Sequence, residues 1–174
     1  MAETFNWNQS NGTSGSQTAT DLGSSGNLFN FKNSDDATAS NYTTNPITAG
    51  DSANTGNSFE VWLRMHFTGT FNVIQNLRFW MSTNFSPSTG ISVKWKGNNQ
   101  TSYATPTTND SSVATTSVPT SDPGTANVSI GGSLAGTLTA AGYSDYIALQ
   151  AHVGTTAASG DSSLAVFTGE YDVQ

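Results

Sequence analysis

The residues best equipped for chemistry fall in one stretch, FEVWLRMHF, Phe59 to Phe67. Its even positions, Glu60, Trp62, Arg64 and His66, set an acid, an indole, a guanidinium and an imidazole in a row. Its odd positions, Phe59, Val61, Leu63, Met65 and Phe67, are all apolar. Side chains alternate across a strand, so the stretch reads as a strand with one core face and one face bearing those four groups. That row fits three uses: a catalytic site, a sugar platform, or a face covered by another protein chain.

Catalysis needs partners that the chain scarcely supplies. His152 is the only other histidine, and neither histidine lies in a nucleophile elbow of the Gly-x-Ser-x-Gly kind. His152 also has the opposite parity from Ile147, Leu149 and Val153, which makes it a polar-face residue. Glycoside hydrolysis needs two opposed carboxylates. Glu60 and Glu170 lie on expected strands, but the third glutamate, Glu3, is in the N-terminal segment, so the choice is thin. There is no HExxH and no Cys/His cluster. The loops NSDDA (33–37) and TSDPG (120–124) offer oxygens suited to Ca²⁺, although Asp-rich loops are commonly turns in which Asp bonds its own backbone. No catalytic, cofactor-binding or metal-binding residue is therefore assigned, and the expectation is a protein that is not an enzyme and has no cofactor.

The aromatic residues carry the other two uses. Trp95 shares the parity of Ile91 and Val93 and reads as core. Trp62 and Trp80 have the opposite parity from the apolar residues of their strands and should face outward. Outward indoles are costly to leave wet, so a sugar, the arm or long loop of the same chain, or a neighbouring subunit should cover them. Aromatic residues and arginine are also the usual anchors of protein interfaces. The candidate contact residues are Glu60, Trp62, Arg64, His66 and Trp80, joined by Phe5 and Trp7.

Ser, Thr, Asn and Gly make up close to half of the 174 residues, and charged residues only 10%. Nine Phe, five Tyr and four Trp argue against disorder and, with the many Val and Thr, favour pleated half-buried surfaces. A net charge of −7 with only Lys32, Arg64, Arg78, Lys94 and Lys96 as basic residues gives no footprint for nucleic acid. The absence of cysteine removes disulfides and thiolate chemistry. No signal-peptide pattern and no membrane-length apolar run is visible, so the expected site of synthesis is a cytoplasm, without membrane contact.

Residues 1–26 hold few large apolar anchors, Phe5, Trp7 and Leu22, and read as a flexible or extended arm that suits docking onto a neighbouring subunit. Deleting residues 2–22 is accordingly expected to leave a folded domain. Residues 27–174 read as the domain, with strands at 27–33, 58–68, 71–82, 90–98 and 142–154, weaker ones at 112–118 and 126–130, and a last one at 162–174. Thr68-Gly69-Thr70 looks like a tight connection, the Val73-Ile74 pair hints at a bulge, and 134–141 is the one plausible helical turn. About eight strands with a long polar loop at 37–57 give an all-β, single-domain antiparallel β-sandwich, jelly-roll-like, with an extended N-terminal arm. Such a sandwich permits its last strand to be inserted in the middle of a sheet.

The pattern NVIQNLRFWMSTNF (72–85), TGISVKWKGNNQTSYATPT (89–107) and GYSDYIALQAHVGTTAASGDSSLAVFTGEYDVQ (142–174) resembles small virion proteins of tailed bacteriophages, of the capsid decoration or cement type. The resemblance implies a jelly-roll-like sandwich, often a homotrimer, that binds the major capsid protein shell or another virion protein without catalysis. It places the protein in the virion after synthesis in the host cytoplasm. An acidic exterior would keep such a protein from sticking to nucleic acid. The alternatives are a phage tail, baseplate or fibre component and a carbohydrate-binding β-sandwich module.

Overall fold

The computed structural model describes residues 2–24, 29–50, 55–160 and 163–174. They form nine strands: β1 (Ala2–Asn11), β2 (Thr18–Gly23), β3 (Val61–Thr70), β4 (Ile74–Thr83), β5 (Ile91–Lys96), β6 (Thr116–Ser117), β7 (Gly142–Tyr143), β8 (Ile147–Val153) and β9 (Val166–Val173). A short 3₁₀ turn spans Ala39–Thr43, and no α-helix occurs among the described residues. Every strand pairing is antiparallel. The larger sheet runs β2-β1-β3-β8-β5-β6 with β7 also on β3, and the smaller sheet is β4-β9. The expected all-β antiparallel sandwich is what the chain forms.

Alternation decides what each strand buries. Val61, Leu63, Met65 and Phe67 of β3 all face the core, with Ile147, Leu149 and Ala151 of β8 and Val93 and Trp95 of β5 beside them. Leu77, Phe79 and Met81 of β4, with Phe167 and Tyr171 of β9, close the other side. Phe79 is the hub, 5.7 Å from Trp7, 5.9 Å from Trp95 and 5.7 Å from Phe167 between ring centroids. Gly169 of β9 matters because a Cβ there would lie 2.7 Å from the Trp7 ring and 2.9 Å from Met65 Cε. Only glycine lets the indole lie against that strand.

The N-terminal segment is not a flexible arm. β1 and β2 form a hairpin, and β1 pairs with β3 from Ala2↔Thr70 to Ser10↔Trp62. Trp7 is 5% exposed, and Phe5 packs on Trp7, Phe67 and Tyr171. The composition misleads because a ladder bonds backbone groups whatever the side chains, so Ser, Thr and Asn strands need few apolar anchors. These anchors are spaced by two, in line with a strand.

Other expectations shift by smaller amounts. Of the 27–33 candidate, residues 27 and 28 lie outside the described residues and the remainder forms no strand. Thr68-Gly69-Thr70 is the end of β3, paired with Glu3 and its neighbours, not a connection. The irregularity in β4 falls between Gln75 and Arg78, where Asn76 has φ 54°, rather than at Val73-Ile74. The weak 112–118 candidate keeps only β6, residues 126–130 form no strand, and residues 134–141 are not helical. Leu138 instead exchanges backbone hydrogen bonds with Ile74. Among the described residues β9 pairs with β4 alone and is not inserted between two strands.

With β1 in the sheet, deletion of residues 2–22 should abolish cooperative folding, because it bares the edge of β3 and uncovers Phe79. Trp7→Ala should cost about 3–5 kcal/mol, the range for deleting a large buried aromatic side chain. Denaturant unfolding checks both, and a truncated chain that melts like the intact one would contradict this account.

Candidate contact surface on the larger sheet

The even row of β3 lies on the face of the larger sheet turned away from the main core, and the chain itself covers much of it. Trp62 is fully buried, with ring contacts to Tyr103 at 5.3 Å and Tyr146 at 5.8 Å and with Ala114 and Ala148 around it. These residues make a second, smaller apolar core. Arg64 follows, its guanidinium carbon 4.6 Å from the Tyr143 ring centre and 4.7 Å from that of Tyr146. Its Nε donates to the Ser144 carbonyl oxygen at 2.8 Å. His66 stacks on Tyr143 at 4.2 Å with 10° between the planes. Glu60 is buried, and its backbone N–H donates to the Thr107 carbonyl oxygen.

Gln150 and Tyr103 are among the side chains that fasten the cover over Trp62. Gln150 of β8 is 2% exposed and donates from Nε2 to the carbonyl oxygens of Ser58, Thr107 and Asn109. Its Oε1 accepts the Ser111 N–H at 2.9 Å. Tyr103 donates its hydroxyl to the Gly12 carbonyl oxygen at 2.7 Å, tying the loop to the β1–β2 turn. Burial pushes the Tyr103 phenol well above its ordinary value, helped by the charge of Asp35, so it remains a neutral donor.

Phe5 and Trp7 belong to the main core, Glu60 and Trp62 lie beneath the chain's own loop, and Trp80 is only 9% exposed. These five are packing residues of the chain itself, not the open anchors of an interface that their types suggest. Arg64 and His66 alone of the seven are both partly exposed and on the outer face. Tyr143, Tyr146 and Tyr103, which complete the row, are not evident from the β3 pattern. The spacing of the two tyrosines in GYSDY, flanking a turn before an apolar strand, is the one signal for them.

The catalytic alternatives come apart in space. Glu60 adjoins β3 of the larger sheet, whereas Glu170 is on β9 of the smaller one and is paired with Arg78. His152 meets Asn57, with Nδ1 3.0 Å from Oδ1, and Asn57 donates to Asp110 at 3.1 Å. An open depression of about 280 Å³ beside Trp95, lined by Lys96, Asn98, Thr116, Asn127 and Leu134, brings no acid or histidine with it.

The acidic loops serve as turns. Asp35 accepts from Asn11 Nδ2 and the Gly12 N–H. Asp122 accepts from Arg78 and the Gly124 N–H. Asp36 accepts from Lys32 Nζ at 2.8 Å, Ser34 Oγ, the Thr38 N–H and Asn41 Nδ2. Burial raises the Asp36 carboxyl, but these four donors outweigh it and hold the group well below its usual 3.8. No group of three or more potential metal-ligating His, Cys, Asp or Glu side chains exists among the described residues.

Compared with protein-family models, curated proteins and solved structures, the chain gives no significant match. No helix among the described residues is long and apolar enough to cross a membrane.

Two outcomes follow from this geometry. Gln150→Leu removes the acceptor of the Ser111 N–H and the donor to the Ser58 and Asn109 carbonyls, while Thr107 keeps the Glu60 N–H, and should cost about 1–3 kcal/mol, with proteolysis opening first between Thr101 and Ser111. A carboxyl with a depressed folded pKa stabilises fully above its unfolded value and loses that contribution as pH falls through the folded one. Stability should therefore decline below about pH 3.8, and Asp36→Asn should be less stable at neutral pH while flattening that decline. Denaturant midpoints measured from neutral pH down to about pH 2 check the sign.

Proposed function

We propose that this protein is a non-enzymatic structural component of a virion, of the capsid decoration or cement kind, that acts by binding an assembled protein shell. The observation that carries the reading is where the reactive residue types are spent. His66 is stacked on a tyrosine, His152 is bonded to an asparagine, Glu170 is paired with Arg78, and Asp35, Asp36 and Asp122 hold turns. A chain that uses its acids and imidazoles as fasteners fits a structural role. The virion placement rests on the resemblance of residues 58–174 and on an acidic, cysteine-free polar composition.

The contact face differs from the row first expected. β9 pairs on one side only among the described residues, and next to or within it Leu164, Val166 and Val173 are 62%, 49% and 36% exposed. An unpaired edge with apolar side chains suits addition of a strand from another chain. A protein that binds only the assembled shell would stabilise it by mass action.

Light scattering after size exclusion should give a mass near three times 18.1 kDa. The purified protein should also co-sediment with shells of its cognate major capsid protein, and the double change Leu164→Lys, Val166→Lys should weaken that binding. A monomer that fails to bind shells at any concentration would remove this reading.

A further inference from the structure

We propose that Arg64 and the rings beside it form a binding site for a sugar that carries a carboxylate, of the uronic or sialic acid class. The inference does not depend on the assembly role and concerns a different surface.

Arg64 is held by three contacts that all come from the short segment 143–146, which runs from the end of β7 to the start of β8. The rings of Tyr143 and Tyr146 lie 4.6 and 4.7 Å from its guanidinium carbon, and the Ser144 carbonyl oxygen accepts from Nε at 2.8 Å. These contacts use the faces of the guanidinium and one of its nitrogens. Nη1 and Nη2 have no hydrogen-bond partner among the described residues. Two parallel donors in a fixed plane match the two oxygens of a carboxylate. The side chain is already ordered, so binding loses less rotamer freedom than at a mobile arginine.

The charge around it sharpens the point. Of the other four cations, Lys32, Arg78 and Lys94 each have a carboxylate oxygen within 4 Å, while Lys96 has none among the described residues and no aromatic rings bracing it. Arg64 has no such oxygen among the described residues, although the chain carries twelve acids and a net charge of −7. A partly exposed cation, braced by two aromatic rings and left without an internal acid, is arranged for an acid from outside.

The neighbours choose a sugar over a bare carboxylate. Tyr143 is 37% exposed, and His66, also partly exposed, is stacked on it with ring centres 4.2 Å apart and planes within 10°, so that the two rings form one aromatic patch. Aromatic surface of this kind takes the C–H face of a pyranose, with polar groups at its margin fixing orientation. Asn6 sits opposite His66 in the β1–β3 register, partly exposed, its amide bonded to Asp21. An imidazole and an amide beside an aromatic face are donors and acceptors for hydroxyl groups. An acidic peptide would use the arginine fork and leave this ring surface idle.

The test is a titration followed by NMR, with sodium glucuronate, N-acetylneuraminate, glucose, acetate and a short acidic peptide as probes. Both sugar acids should saturate with a Kd on the order of 1 mM, shifting signals of residues 64, 66 and 143–146. Glucose and acetate should bind at least about tenfold more weakly. Arg64→Gln should abolish binding of the acids, and Arg64→Lys should weaken it by about tenfold because the fork is lost. Tyr143→Ala should bring the sugar acids down to the level of acetate. If Arg64→Gln does not fold, the shift map of the unaltered protein and the Tyr143→Ala variant still decide. Absence of saturable shifts, equal binding of glucose, or peptide binding as tight as that of the sugar acids would each overturn the proposal.

Discussion

Trp62 is buried on the side of the sheet that does not face the main core, and much of the architecture answers that constraint. A strand with large apolar groups on both faces needs cover on both, and an indole is among the largest surfaces a strand can present. The smaller sheet covers one face. The other receives an irregular segment that cannot bond itself into a sheet, so the strands beneath must supply the bonds. Gln150 does so from β8 and the Gly12 carbonyl does so from the β1–β2 turn. The hairpin, the loop and β8 are coupled through the need to keep one tryptophan dry.

The same economy explains how so polar a chain builds a core. The buried polar residues largely act as connectors. Ser144 accepts the Met65 N–H and donates to Asp145, while the Asp145 carboxylate accepts from Gly131 and Gly132. Ser129 accepts from the Asn99 N–H and donates to Asn98, and Ser58 accepts the Ala151 N–H. A buried group that is bonded costs little, whereas an orphan costs its full desolvation. Short hydroxyl and amide side chains suit this work because they reach the backbone within a few ångströms. An abundance of Ser, Thr and Asn therefore accompanies ordered loops here, where composition alone points toward flexible ones.

What was legible in the sequence followed from periodicity. The odd row of β3, the inward Trp95, the parity of Leu77, Phe79 and Met81, and the apolar side of β8 all come from the strict two-residue repeat of a pleat. The cover of the even row was not legible as a particular segment. Tyr103 and Ala114 lie in a stretch without repeat, and contact at long sequence separation leaves no local pattern. The N-terminal hairpin leaves little trace in the sequence for another reason. β1 is bonded by ladders to β3 on one side and β2 on the other, and backbone pairing has no side-chain signature except the spacing of Phe5 and Trp7. The stacked group of Arg64, Tyr143 and His66 was half visible, since two of its members stand in the β3 row and the third comes from across the β7 pairing.

The meeting of β1 with β9 has a consequence for the order of events in synthesis. Trp7 rests on Gly169, and Phe5 touches Tyr171, so residues made earlier are sealed by residues made much later. Nothing made early can finish the interior by itself. A nascent chain must hold the β1–β2 hairpin with an uncovered indole until β9 leaves the ribosome, and only then can the sandwich close. Contacts between such distant residues also make for slow closure. The sparse apolar content of the first strands is a safeguard in that interval, because a waiting segment rich in hydroxyls and amides is less prone to stick to its neighbours than an oily one.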